Sequence, residues 1–253
     1  MLSKNVIKKI TSLHNKKFRK ELGLFIAEGD KLVTDLLTVQ MEVESIFYTD
    51  SWQLPSQNLQ VELNEVSEPE MKKISALTTP SSVLAVVKIP IRLLENLDLK
   101  SELIIALDDI QDPGNLGTII RLADWFGIRN IVCSIGTVDV YSPKVVQATM
   151  GAIARVNVHY AELQDFLGKI DCNKVPVYGT FMDGENLYKT EIQPNGVIVM
   201  GNEGKGISQE VEKLVTKRVA IPSYPGNTET SESLNVAMAT AIICAEFRRR
   251  ITD

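Results

Sequence analysis

The chain has 253 residues, 44% of them apolar, and a formal net charge of −5, enough to bury one large core with a smaller companion. No window approaches the roughly 18 consecutive apolar residues of a membrane span. The basic N-terminus MLSKNVIKKITSLHNKKFRK lacks the unbroken apolar core and cleavage site of a secretory signal, so a cytoplasmic location is expected.

The net charge hides an asymmetry. Residues 1–20 carry Lys4, Lys8, Lys9, Lys16, Lys17, Arg19 and Lys20 without one acidic residue. Like charges this close repel one another unless solvent or a polyanion screens them. The stretch reads either as a solvated helix face or as a patch for RNA phosphates, with Lys8, Lys9, Lys16, Lys17, Arg19 and Lys20 as the contacts.

Residues 4–13 alternate basic and apolar positions at helical spacing, LFIAEG reads as a strand, and DKLVTDLLT as a helix with Leu32, Val33, Leu36 and Leu37 on one face. VESIFYTD, VELNEV and VLAVVKIP are further strands, and SEPEMKKISAL is a helix capped by Ser67. Strands alternating with helices make residues 1–90 a small α/β domain, with 91–100 a linker and 101–253 a second domain. Glu28, Gly29 and Asp30 are explained by a cap and a tight turn, so this domain reads as a substrate holder without chemistry of its own.

Beyond residue 100, LIIALDDIQDPGNLGTIIRLADWFG combines a continuous apolar run, as in a central parallel strand, with a polar turn and a helix over 117–126. Asn115 lies in the loop before that helix, where asparagine commonly caps. Arg121, in its first turns, is disfavoured by the helix dipole and wants an anionic partner. IRNIVCSIGTVDVYSPKVVQATMGAI adds a strand and a helix opened by Ser142 and Pro143, and VPVYGTFM another strand. Cys133 and Cys244 fall in apolar elements and read as buried thiols; with Cys172, His14 and His159 they form no metal site and no Cys–His pair.

GVIVMGNEGKGIS is a short strand followed by Gly201, Gly204 and Gly206. Lys205 precedes Gly206 instead of following the last glycine, so this is not a phosphate loop, and it comes too late to be a dinucleotide fingerprint. A cofactor without phosphates fits it. RVAIP then leads through SYPGNTETS into LNVAMATAIICAEFRRR, a helix apolar enough to be buried in a domain or at an oligomer interface. The loop before it is a plausible wall of a site.

Read together, DDIQDPGNLGTIIRLADWFG, VIVMGNEGKGIS and IP followed by SESLNVAMATAI resemble the three motifs of the SpoU or TrmH-type branch of SPOUT RNA methyltransferases. KKFRKELGLFIAEGDKLVTDLL resembles the substrate-binding domain that often precedes them. The resemblance covers nearly the whole chain. It implies an α/β fold: a C-terminal SPOUT domain with a trefoil-knotted, mostly parallel sheet, behind a small α/β (L30e-like) domain. It also implies a homodimer that uses S-adenosyl-L-methionine to methylate a ribose 2'-oxygen in RNA. Catalytic positions carried over are Asn115, Arg121, Glu203, Ser233 and Asn235. Cofactor contacts are Gly179, Thr180, Gly201, Asn202, Gly206, Ile221 and Leu234, and no metal is implied. The loop SYPGNTETS is a few residues longer than the family's usual turn.

An arginine has no acceptor in its charged form, so Arg121 is expected to grip phosphate or stabilise charge on the 2'-oxygen, with Asn115 orienting that group or the ribose. Ribosomal RNA, in particular 23S RNA, is the expected substrate by analogy with relatives that carry such an N-terminal domain. The alternatives are a tRNA ribose methyltransferase, a non-catalytic RNA-binding ribosome-assembly factor, and a small-molecule methyltransferase.

Overall fold

A computed structural model describes residues 1–53, 61–224 and 233–252 of the chain. Its contacts divide the chain into two units, Met1–Ile91 with Asp139–Arg155, and Arg92–Val138 with Val156–Asp253. The first unit therefore includes a segment that lies far downstream in the sequence.

In the first unit the alternating signal becomes α1 (Lys4–Ser12), α2 (Lys16–Leu22), β1 (Leu24–Glu28), α3 (Asp30–Thr38), β2 (Val43–Tyr48), β3 (Glu62–Glu65), α4 (Glu68–Ile74) and β4 (Val83–Lys88). The strands lie in the order β1-β4-β2-β3, antiparallel except for β2 with β3. Ile10 and Leu13 pack with Met71 and Ile74 over Leu24, Ile26, Leu84 and Val86; each such buried side chain contributes roughly 1.5–3 kcal/mol. Glu28 is buried in this core, and its carboxylate accepts from the Ser75 hydroxyl at 2.5 Å and the Ala76 N–H at 2.8 Å. Asp30 accepts from the Trp52 indole N–H at 2.8 Å. Both acids at this turn are thus held by structural partners.

The second unit begins with β5 (Leu103–Leu107), α5 (Pro113–Trp125) and β6 (Asn130–Ser134), and the first unit's downstream segment carries α6 (Pro143–Ala148). There follow β7 (Asn157–Ala161), α7 (Leu163–Leu167), β8 (Val177–Asn186), β9 (Gly196–Met200), α8 (Gln209–Glu212), β10 (Lys217–Ala220) and α9 (Val236–Thr252). The six strands run β10-β8-β9-β5-β6-β7 with every neighbouring pair parallel. β5 and β9 are buried along their whole length, as a parallel sheet covered on both faces requires. Ile104, Ala106, Val132, Val197 and Val199 meet Leu163, Leu167 and Val211 on one side. Cys133 and Cys244 are buried, and burial pushes the Cys244 thiol up to about 12 and that of Cys133 higher still. Both stay neutral and unreactive.

β7 and α7 carry no clear signal in the sequence. NVHYA breaks the apolar pattern at Asn157 and His159, yet both find a partner inside the sheet: Asn157 Nδ2 donates to Asn130 Oδ1 at 3.1 Å, and His159 Nε2 stands 3.2 Å from the same oxygen. Among the described residues no helix is long and apolar enough to cross a membrane, and no cluster of His, Cys, Asp or Glu could hold a metal.

Residues 139–155 are joined to the rest of the first unit by charge. Arg19 is only 3% exposed. Its Nε and Nη2 donate to Asp139 Oδ2 at 3.0 and 2.5 Å, and its Nη1 donates to the Leu13 carbonyl at 2.7 Å. The Phe25 and Tyr141 rings lie beside the pair's elements, 4.9 Å between centroids. Arg19 is therefore corrected from an RNA contact to an internal ion-pair partner, since it is buried with its guanidinium bonded to Asp139 and the Leu13 carbonyl. Lys9 is also engaged, 2.5 Å from Glu44 at the surface.

Removing one member of a buried charge pair leaves the other uncompensated, at a cost of about 3–5 kcal/mol. Asp139→Ala should lower the urea-unfolding free energy by that amount, and adding Arg19→Met to it should recover part of the loss. A single variant as stable as wild type would show that the pair contributes nothing.

Candidate active site

The site assembles at the C-terminal edge of the parallel sheet, where loops leave neighbouring strands together. β5 and β9 pair with Leu107 opposite Met200, so the loop after Leu107 and the loop after Met200 emerge side by side. Three bonds join them: the Asp108 N–H donates to the Met200 carbonyl at 2.9 Å, the Ser208 N–H to Asp108 Oδ2 at 2.8 Å, and Asn202 Nδ2 to the Asp109 carbonyl at 2.7 Å. Buried Asp108 carries no site role in the sequence reading, yet it fixes one loop to the other. Only the doubled DD of the first motif hints at it.

The glycine loop is closed on itself. Asn202 and Gly206 exchange backbone hydrogen bonds at 3.0 and 2.9 Å, and Asn202 Oδ1 accepts from the N–H groups of Gly204 and Lys205 at 2.9 and 3.0 Å. Gly206 turns at φ +71°, and a Cβ on Gly201 would stand 2.3 Å from the Gly206 carbonyl carbon. Gly201 and Gly206 are therefore required by the turn itself, whatever the loop binds.

α5 begins four residues before the expected 117, because Pro113 occupies its first turn and Asp112 caps it, accepting from the Asn115 N–H at 2.7 Å. Asn115 thus lies inside the first turn and not in a loop, and its side chain is released from capping duty. Its Nδ2 donates to Glu203 Oε1 at 2.9 Å, while its Oδ1 accepts from Asn235 Nδ2 at 2.9 Å. Asn235 in turn caps α9, its Oδ1 accepting from the Ala237 and Met238 N–H groups at 2.9 and 3.3 Å. The donors all point the same way, from the positive end of α9 through two amides to one carboxylate. Each bond in such a chain polarises the next.

One residue from each of the three motifs therefore meets in a single chain of hydrogen bonds. Ser233 and Leu234 precede Asn235 at its α9 end, exposed to solvent, Leu234 at 49%. Gly179 pairs in register with Val199 near the end of β9, the Thr180 hydroxyl donates to the Val199 carbonyl at 3.1 Å, and Ile221 follows β10 directly, half-buried. These positions share the same sheet edge. The residues at 225–232, most of the long loop before Ser233, lie outside the described residues.

Arg121 stands apart. It lies six residues along α5 from Asn115, about 9 Å of helical rise and roughly 120° around the axis. It is exposed and, among the described residues, makes no hydrogen bond or ion pair. It shares a helix face with Trp125, four residues on and 84% exposed.

A model of the SpoU rRNA Methylase family matches residues 102–245, and a model of the MRM3-like substrate binding domain matches residues 4–85. The chain is 29% identical to the 23S rRNA (guanosine(2553)-2'-O)-methyltransferase RlmP of Bacillus subtilis, over 96% of this chain and 95% of that one. The structure of a putative RNA methyltransferase of the TrmH family from Porphyromonas gingivalis superposes with a TM-score of 0.89 at 41% identity, covering 99% of both chains. That of an AdoMet-bound rRNA methyltransferase from Sinorhizobium meliloti gives 0.86 at 30% identity, covering 99% of this chain and 97% of that one. A match that runs through every strand of the larger sheet and on past Asn235 leaves one assignment: the chain belongs to the SpoU rRNA methylase family.

Proposed function

We propose that this protein is an S-adenosylmethionine-dependent methyltransferase that modifies a ribose 2'-oxygen in ribosomal RNA, with 23S RNA the substrate by its likeness to the Bacillus enzyme. The observation that carries the reading is the Asn235–Asn115–Glu203 chain at the sheet edge, in a member of a family named for rRNA methylation.

The residues present fit the cofactor. The loop after β9 is closed by its own backbone bonds and offers no row of free amides for phosphates, whereas half-buried Ile221 and half-exposed Leu234 provide apolar walls for an adenosyl group. Backbone near Gly179, Thr180, Gly201, Asn202 and Gly206 would hold its polar atoms. When bound, it supplies a methyl group activated by a sulfonium.

The protein's part is alignment and charge. Asn115 has both amide atoms engaged, so it is held rigidly, and Glu203 is fixed beside it. This pair orients the ribose or its neighbouring phosphate. Arg121, whose guanidinium offers donors and no acceptor, acts by gripping phosphate or stabilising negative charge on the 2'-oxygen. Holding the two reactants in line supplies much of the acceleration.

A homodimer completes this picture. Arg121 and exposed Trp125 share one face of α5, and α9, which packs on α5, leaves Met238 55% exposed. Covering such a face with a second copy buries the tryptophan and carries Arg121 toward the partner's site. The trefoil knot expected of the family belongs to the same proposal.

With ribosomal RNA and radiolabelled S-adenosylmethionine, the wild type should label a single ribose. Arg121→Ala should lower kcat at least a hundredfold while cofactor Kd stays within about twofold; a parallel loss of cofactor binding would make Arg121 a pocket residue. Asn235→Asp keeps an acceptor for the α9 cap but removes the amide donor to Asn115. It should hold Tm within a few degrees and still lose tenfold or more of the activity; full activity would show the chain to be structural only. Trp125→Glu should sediment as a monomer and lose methyl transfer, and an active monomer would overturn the dimer.

A further inference from the structure

We infer that α2 is a base-stacking platform, in which the Phe18 ring receives an unpaired RNA base and the lysines around it take the flanking phosphates. The inference rests on the RNA reading above and names the kind of RNA the N-terminal unit holds.

α2 has seven residues, and the burial of Arg19 against Asp139 fixes which way they face. Arg19 is turned inward, and Phe18 and Leu22, one helical turn apart on its flank, are nonetheless 39% and 44% exposed. A phenylalanine exposed in a helix that could have buried it is out of place for a purely solvated face. Its neighbours are cationic: Lys16, Lys17 and Lys20 are exposed and form no ion pair among the described residues, and Lys17 Nζ lies 5.9 Å from the Phe18 ring centroid. Lys4 and Lys8, likewise exposed and unpaired among the described residues, share one face of α1. Glu21 is the single acid exposed on α2.

Charge decides the occupant. A protein partner would have to desolvate three lysines for two modest apolar side chains, whereas RNA supplies phosphates for the lysines and a π-face for the ring together. A duplex offers no free base face, because its bases already stack on one another. The ligand is therefore a single-stranded or loop nucleotide. Arg19 is its positioning residue: it touches no RNA but sets the roll of the helix that does.

The test uses the full chain and two fluorescent RNAs, a short single strand of mixed sequence and a fully paired duplex of matching length, titrated over a range of KCl. Phe18→Ala and Phe18→Leu should each weaken single-strand binding about tenfold or more, leave duplex binding unchanged, and keep the salt slope of wild type. Phe18→Tyr should bind as wild type. Replacing Lys16, Lys17 and Lys20 together by glutamine should reduce the single-strand salt slope by about 2, at roughly 0.7 per phosphate. Leucine binding as well as phenylalanine would overturn the platform, because it keeps the bulk and lacks the ring. So would equal losses on both RNAs, or a change in sedimentation with RNA affinity intact, which would mark a protein contact. If wild type binds neither RNA and transfers no methyl group, the RNA reading itself fails; if wild type binds and Phe18→Ala binds equally, only the platform does.

Discussion

Because β5 and β9 are hydrogen-bonded neighbours in a parallel sheet, two loops distant in sequence leave the same edge side by side, and the chemistry of the site is built on that adjacency. A shift of one residue in this register would turn every side chain of β9 to the opposite face and carry Asn202 away from the Asp109 carbonyl. Asp108 guards the register from within, its carboxylate bonded to the Ser208 N–H and its own N–H to Met200. A buried acid with such partners stabilises one arrangement and penalises its neighbours, since slipping leaves it unsatisfied.

The site also shows how a helix cap can free a side chain for other work. Asp112 satisfies the open amide of the first turn, and Asn115, a residue type that usually does so itself, turns outward to join Glu203 with Asn235. At the start of α9 the economy differs: Asn235 uses its oxygen as the cap and its nitrogen as a link. One amide thus couples the start of α9 to a polar side chain in the first turn of α5.

Much of this was legible in the sequence. Continuous apolar runs marked β5 and β9, strands alternating with helices marked the small α/β domain, and three ordered motifs marked the residues that now stand together. What escaped had physical reasons. β7 hid because Asn157 and His159 satisfy each other's neighbour, Asn130, and so interrupt an apolar run without costing stability. The start of α5 hid because Pro113 and Gly114, which read as turn residues, are tolerated in a first helical turn that Asp112 caps. Arg19 was unreadable as a buried group, since its partner Asp139 lies far along the chain and no local pattern encodes such a pairing.

That distant pairing bears on how the protein is made. Translation delivers the first 91 residues of the N-terminal unit well before residues 139–155. Until Asp139 leaves the ribosome, Arg19 has no countercharge to turn inward toward. That ion pair can therefore form only after the β5, α5 and β6 sequences have been synthesised. A fragment cut at residue 91 would lack the carboxylate that stands against buried Arg19.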